Sequence, residues 1–323
     1  MRYPMKRISN RWFTCAKWLV SLLLLVIILL KTDVSSLWGL LRSTNVALVG
    51  GAAILILITH YINAVKVARI LPEYHPLSIG RLTAINFVGT FLNNLLPTRI
   101  GGDVARVFFI NKKLASKRVS IAVVLIDRAS GIAVQTLLVL FSGAFLSGTL
   151  IGPRSKFWCG ALFFAGCCVV FLPWLLPSRI KIKSVDMLMR VRLFAAVFKS
   201  GPVRSFLNNF FASPGRVAGI VLIGSVFQCF VIVSIIALTR AFGGTISFFE
   251  SATVCFASTI ACFLAPSIGG WGVMEGAFTY LYQFLHLQGS VGLAVSLGLR
   301  ITVVIPSIIG WVVFMQSGRM KKG

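Results

Sequence analysis

The fold class predicted by the sequence is an all-α polytopic membrane protein, with six full crossings and two re-entrant helical hairpins arranged as an inverted repeat. Three observations carry this expectation. Of 323 residues, 57% are hydrophobic and only 12% charged, with a mean hydropathy of +0.92; a soluble domain carries about a quarter charged residues. Several apolar runs approach the roughly 20 residues that a spanning helix needs. A proline, a hydroxyl residue and Ile-Gly-Gly also recur together twice, with one residue inserted in the first copy, each time where an apolar stretch breaks. The composition excludes a soluble enzyme and leaves one integral membrane domain over residues 1–323. The net charge of +25 is not a nucleic-acid signal, because the basic residues lie in short stretches between apolar runs. Anionic lipid and the positive-inside bias produce that placement.

The elements follow in order. Arg2, Lys6, Arg7, Arg11 and Lys17 precede the run Trp18 to Leu30, and no small-x-small cleavage site follows at Lys31-Thr32-Asp33. The start therefore reads as a signal anchor and first crossing, 13–30. The other expected crossings are 45–65, 119–147, 157–176, 217–238 and 291–315. Leu82 to Pro97 is short and holds Asn86, Asn93 and Asn94; Ser251 to Ala265 is shorter and breaks at Pro266-Ser267-Ile268-Gly269-Gly270. Both read as descending arms of hairpins that return over 102–111 and 273–287. With this topology and the N-terminus inside, the inner segments hold 23 Lys and Arg and the outer segments 5. That asymmetry places both termini in the cytoplasm. The inner linker 177–216 carries Met187, Leu188, Val191, Phe194, Ala195 and Phe198 at helical spacing among basic residues. It reads either as an interfacial helix on the inner leaflet or as a solvated connector. The seven cysteines show neither zinc spacing nor a disulfide framework, and no cofactor is expected.

The internal match is Leu95-Leu96-Pro97-Thr98-Arg99-Ile100-Gly101-Gly102-Asp103 against Leu264-Ala265-Pro266-Ser267-Ile268-Gly269-Gly270-Trp271-Gly272. Each lies between two crossings, and an arginine, Arg128 or Arg300, lies in the crossing that follows. Residues 1–147 and 157–323 thus read as two copies of one unit with three crossings. An odd number of crossings inverts the second copy, as in secondary transporters whose sites lie where broken helices meet.

The candidate site follows from this reading. Proline stops a helix and glycine permits a sharp reversal. The backbone N–H groups freed at Gly101, Gly102, Gly269 and Gly270 favour an anion such as phosphate. Asp103 instead offers itself as an N-cap. Arg99 lies at the first tip, and Arg128 and Arg300 lie about 15 Å from an entry surface at ~1.5 Å per residue. Charges at such depth require pairing or hydration, and the available acids are Asp103, Asp127 and Glu275. Two readings stay open: interhelical salt bridges that hold the bundle, or a hydrated pocket in which arginine forks receive a charged head group. Glu275 would meet a cationic substrate group, couple to protons or cap the returning helix. Asn93 and Asn94 would line the pocket or satisfy the broken backbone, and Trp271 would pack at the second tip. His60, Tyr61 and Asn63 read as interfacial residues, and Gln135 and Gln228 as helix-to-helix hydrogen bonds. No Walker A sequence, Gly-x-Ser-x-Gly or zinc cluster is present.

The segment Asn94 to Asp103, Asp127-Arg128, Pro266 to Glu275 and Arg300 together resemble the lysylphosphatidylglycerol synthase transmembrane-region family, over essentially the whole chain. The resemblance implies a bacterial or archaeal plasma membrane protein with re-entrant helices around a cavity, which moves or binds polar lipids. The family's aminoacylating enzymes carry a soluble catalytic domain after the membrane part; this sequence ends at Gly323, so synthase activity is not expected. Asp127 stands where the pattern has Glu. The expected function is a flippase-like lipid translocase that binds a polar or anionic membrane lipid. The alternative is a non-transporting scaffold that recruits an envelope-biosynthesis enzyme, with the basic segment 177–216 as its contact.

Overall fold

The computed structural model describes residues 39–40, 42–71, 77–95, 101–145, 201–264, 267 and 269–319. The expected crossings 13–30 and 157–176, the helix at 187–198, and Pro97, Arg99 and Pro266 lie outside these residues. Nine helices form the described structure. They are α1 (Val46–Ile70), α2 (Ile79–Leu95), α3 (Gly101–Leu114), α4 (Lys117–Phe145), α5 (Gly201–Ala212), α6 (Pro214–Ala241), α7 (Phe248–Leu264), α8 (Val273–Phe284) and α9 (Gly289–Arg319). Among the described residues there is no strand.

Four of the helices, α1, α4, α6 and α9, are long and apolar enough to cross a membrane. They correspond to the expected crossings 45–65, 119–147, 217–238 and 291–315. The helix ends follow local chemistry. Asn45 caps α1, its Oδ1 accepting the Ala47 and Leu48 amides. Pro214 opens α6, where its missing N–H costs nothing. Ser247 and Glu250 form a reciprocal capping box at α7: Glu250 Oε2 accepts the Ser247 amide at 2.8 Å and Ser247 Oγ accepts the Glu250 amide at 3.3 Å.

The expected hairpin arms are helical. α2 and α7 have 17 residues each, α3 has 14 and α8 has 12. A crossing needs at least about 17 residues, so α3 and α8 are too short to span. α2 packs on α3, and α7 on α8.

The packing has an internal regularity. When α1, α2, α3 and α4 are exchanged with α6, α7, α8 and α9, every closely packed pair among them maps onto another packed pair. Thus α2 packs on α9 as α7 packs on α4, and α1 packs on α9 as α6 packs on α4. The α1–α6 pair at the centre maps onto itself.

Two apolar clusters hold these elements. One joins the C-terminal end of α1 to α2, α3, α4 and α5 through residues such as Ile70, Leu82, Ile110 and Val123. The other joins α6, α7, α8 and α9 through Leu238, Val254, Phe278 and Leu293. α5 is the described helical part of the basic linker. It buries Val203, Phe206, Leu207 and Phe210 at helical spacing, packed on α4 and α6. Its apolar face is therefore taken up by the protein itself.

Candidate functional site

The residues of the first half converge on one cavity of about 260 Å³. α1, α2, α3 and α4 build most of its wall, and α6 and α7 close it. Its charged residues are Lys66, Asp103, Arg106, Asp127 and Arg128. Among the described residues three cations face two carboxylates, so this part of the wall carries one net positive charge.

The charges are arranged as a pair and a group of three, which are linked. Asp103 is the third residue of α3, and its carboxylate takes the Arg128 fork, with Nε at 3.0 Å from Oδ2 and Nη2 at 2.9 Å from Oδ1. Such a bidentate pair fixes orientation as well as charge. The pair is partly exposed, the Arg128 side chain by 41%. Behind it, Asp127 is shared. Its Oδ1 lies 2.8 Å from Lys66 Nζ and its Oδ2 2.8 Å from Arg106 Nη1. These three side chains are 8% exposed or less. The two groups are joined by Arg106 Nη1, 3.7 Å from Asp103 Oδ1. Arg106 Nε and Nη2 are buried and have no hydrogen-bond partner among the described residues.

Uncharged polar groups cover the remaining wall. Asn93 Oδ1 accepts the Gly102 amide at 2.7 Å. A buried first-turn N–H is thereby satisfied by the chain itself, rather than left for a ligand. Gly102 is required there, since a Cβ would run into the Gly89 carbonyl and the Asn93 amide. Asn86 donates to the His60 carbonyl at 3.1 Å. Gln135 and Gln228 both donate to Cys255 Sγ, at 3.4 and 3.2 Å. The cavity also touches Ile132, Phe227 and Phe263; Ile132 and Phe263 are themselves exposed.

The second half has its own ionic centre. Glu275 is the third residue of α8 and fully buried. Its Oε1 accepts Arg300 Nε, and its Oε2 accepts the Gly272 amide at 2.8 Å, capping the helix. Arg300 also donates to the Gly269 carbonyl at 3.5 Å, and its guanidinium lies 3.8 Å from the Trp271 ring centre. Gly269, Gly270 and Gly272 all have positive φ, which the turn before α8 demands. The interhelical salt bridges that the sequence left as one of two readings are thus present in both halves.

These two centres correspond closely. Asp103 and Arg128 are 25 residues apart, and so are Glu275 and Arg300. Each acid is third in its short helix, and each arginine is twelfth in the long helix that follows. This register corrects the sequence alignment. Gly101 and Gly102 are the buried first turn of α3, whereas Gly269 and Gly270 lie in the turn before α8. The shared Ile-Gly-Gly letters are therefore offset in space.

The site corrects other expectations. Asp103 is an arginine partner at the third helical position rather than an N-cap. Asn94 turns away from the cavity and donates to Ser307 Oγ at 2.6 Å on α9. His60 and Asn63 line the cavity, while Tyr61 is exposed. Lys66, a loop charge in the sequence reading, is buried within α1. The register shows why the halves differ. A shift of 172 residues carries Gly101 onto Val273 and Lys117 onto Gly289. The same shift carries Arg106 onto Phe278 and Asp127 onto Leu299, both buried in the second apolar cluster. The charged residues of the cavity all come from the first half among the described residues.

Helices of this length and apolarity, packed around a charged polar cavity, define a multi-pass helical membrane protein. The matched relatives place it further. The chain belongs to the lysylphosphatidylglycerol synthase TM region family, whose model matches residues 15–310. A UPF0104 membrane protein of Pyrococcus horikoshii is 24% identical over 261 residues, which cover 72% of this chain and 76% of the relative. No solved structure matches the chain.

Proposed function

We propose that the protein is a lipid translocase of the plasma membrane, which takes a phosphate-bearing head group into the first-half cavity while the acyl chains stay in the bilayer. The observation that carries this reading is the composition of the cavity wall. Its described residues carry one net positive charge and many amide and hydroxyl groups. Beside these groups it has the exposed apolar side chains of Ile132 and Phe263. A polar wall with exposed apolar side chains beside it suits an amphiphile better than a free solute. Membership of a family defined on a lipid synthase membrane region supports the same reading.

The architecture supplies a route. The two sets of four helices pack in matching ways, and their acid–arginine pairs share one register. We read this as an inverted repeat, in which α2–α3 and α7–α8 are re-entrant hairpins and both termini are cytoplasmic. Rocking of one half against the other would then open the cavity to each leaflet in turn. Arg128 is the partly exposed charge, placed to meet an arriving phosphate and to exchange it for Asp103. Glu275 and Arg300 hold the second hairpin to α9. The scaffold reading rests on the basic segment 177–216, whose described helix spends its apolar face on α4 and α6.

Native mass spectrometry of lipids that stay bound to the purified protein tests the reading, for wild type and Arg128→Ala. The expected result is a defined phospholipid class on wild type that is depleted in the variant. Identical retention of bulk membrane lipid by both proteins would overturn it.

A further inference from the structure

We infer that the cavity selects a head group with a single phosphodiester charge and a neutral, hydroxyl-rich remainder, anchored by Arg106, and that it rejects head groups carrying an amine. This deepens the proposed function and rests on it. Three features carry the inference. The first is the charge balance of the described wall: Lys66, Arg106 and Arg128 against Asp103 and Asp127 leave one positive charge, which a phosphodiester monoanion neutralises. The second is Arg106 itself, whose Nη1 is committed to Asp127 while Nε and Nη2 have no partner among the described residues. A buried cationic donor without an acceptor is destabilising. The Nε–Nη2 edge is the face of a guanidinium that binds two oxygens of one phosphate at once.

The third feature is the absence of any free carboxylate on the described wall. Asp103 is held by Arg128, and Asp127 is ion-paired to Lys66 and Arg106; its Oδ1 makes no hydrogen bond but lies 2.8 Å from the Lys66 ammonium. An ammonium group brought into this space would meet cations and leave its own charge unpaired, a burial that costs heavily. The uncharged groups Asn63, Asn86, Thr90, Gln135 and Gln228 match hydroxyls instead, as donors and acceptors. Size agrees. A cavity of about 260 Å³ falls below the ~300–1,000 Å³ of pockets for drug-sized ligands, so it accommodates a head group and not the chains.

The test is a competition between acyl-matched lipids for the purified full chain in detergent, read by native mass spectrometry. Phosphatidylglycerol is offered together with lysyl-phosphatidylglycerol, and separately with phosphatidylethanolamine. Phosphatidylglycerol is expected to be retained about tenfold or more over either amine-bearing lipid, the size expected for one unpaired buried charge-assisted contact. Arg106→Gln is expected to abolish the preference. Gln135→Glu is the second variant. It adds a carboxylate at a position whose present hydrogen bonds are long, and is expected to shift retention toward lysyl-phosphatidylglycerol in folded protein. Equal or better retention of the amine-bearing lipids by wild type would overturn the inference and leave a lipid site in place. Retention of none of these lipids would overturn the proposed function itself. Soluble glycerophosphoglycerol binding as tightly as the lipid would show that a free phosphodiester, rather than a lipid, is recognised, and would overturn the lipid assignment.

Discussion

Replacing Asp127 by asparagine keeps the side-chain volume and removes the charge shared by Lys66 and Arg106. Each of its oxygens lies 2.8 Å from one cation, and the cations are 5% and 8% exposed. The asparagine would leave two buried positive charges side by side and point a donor at one of them. Breaking a buried pair in this way costs about 3–5 kcal/mol. Lys66→Met is different, because Asp127 keeps Arg106 and the local charge falls to zero. Its cost is that of one hydrogen bond to a charged group, about 1.5–3 kcal/mol. The double variant Lys66→Met, Asp127→Asn removes the repulsion and is expected to be more stable than Asp127→Asn alone. Equilibrium unfolding in a mixed micelle of mild detergent and dodecyl sulfate, followed by tryptophan fluorescence, measures all three. An Asp127→Asn protein within about 0.5 kcal/mol of wild type, the range of an ordinary surface change, would refute the reasoning. So would a double variant less stable than Asp127→Asn.

Other predictions follow from the same geometry. Asp103→Asn removes the partner of an arginine that is 41% exposed, so its stability cost is expected to be about 1 kcal/mol or less, while lipid retention falls; the same unfolding assay and native mass spectrometry read the two effects. Glu275→Gln leaves Arg300 without its fully buried carboxylate, and is expected to destabilise the protein by more than Asp103→Asn in that assay. Gly102→Ala forces a Cβ against the Gly89 carbonyl and is expected to cost about 1–3 kcal/mol, as overpacking does. Gly50→Ala meets nothing within 4 Å and is expected to be neutral or slightly stabilising; a shift in unfolding midpoint as large as that of Gly102→Ala would contradict the packing.

The spanning helices were legible because a bilayer imposes a length and an apolarity that any window of sequence displays. α1, α4, α6 and α9 begin within a few residues of their expected limits. The hairpin arms were legible from Pro, Gly and Asn inside short apolar runs. Asp103, Arg128, Glu275 and Arg300 stood out because a charge in an apolar segment demands a partner, and the structure pairs them. Lys66 was missed for the opposite reason. Lys66 lies at the end of an apolar run, where a lysine ordinarily flanks the membrane. Its burial depends on α1 continuing to Ile70 and meeting Asp127, 61 residues away, a contact that only tertiary packing creates. The glycine pattern pointed to the helix breaks before α3 and α8 with the wrong register, because glycine serves close helix packing at Gly102 and a left-handed turn at Gly269. Helix position relative to the acid–arginine pair would have been the better guide.

The central claim is movement of lipid through the first-half cavity, and flux in liposomes tests it most directly. The full chain is reconstituted with an acyl-labelled fluorescent phosphatidylglycerol, and loss of inner-leaflet label to an external quencher is timed. The account predicts quenching past the outer-leaflet half for wild type. It also predicts rates at least about tenfold slower for Arg106→Gln and Arg128→Ala, a barrier increase of about 1.4 kcal/mol, in protein with the helical signal of wild type. Wild-type liposomes that quench no faster than protein-free ones, or variants that match wild type, would contradict it.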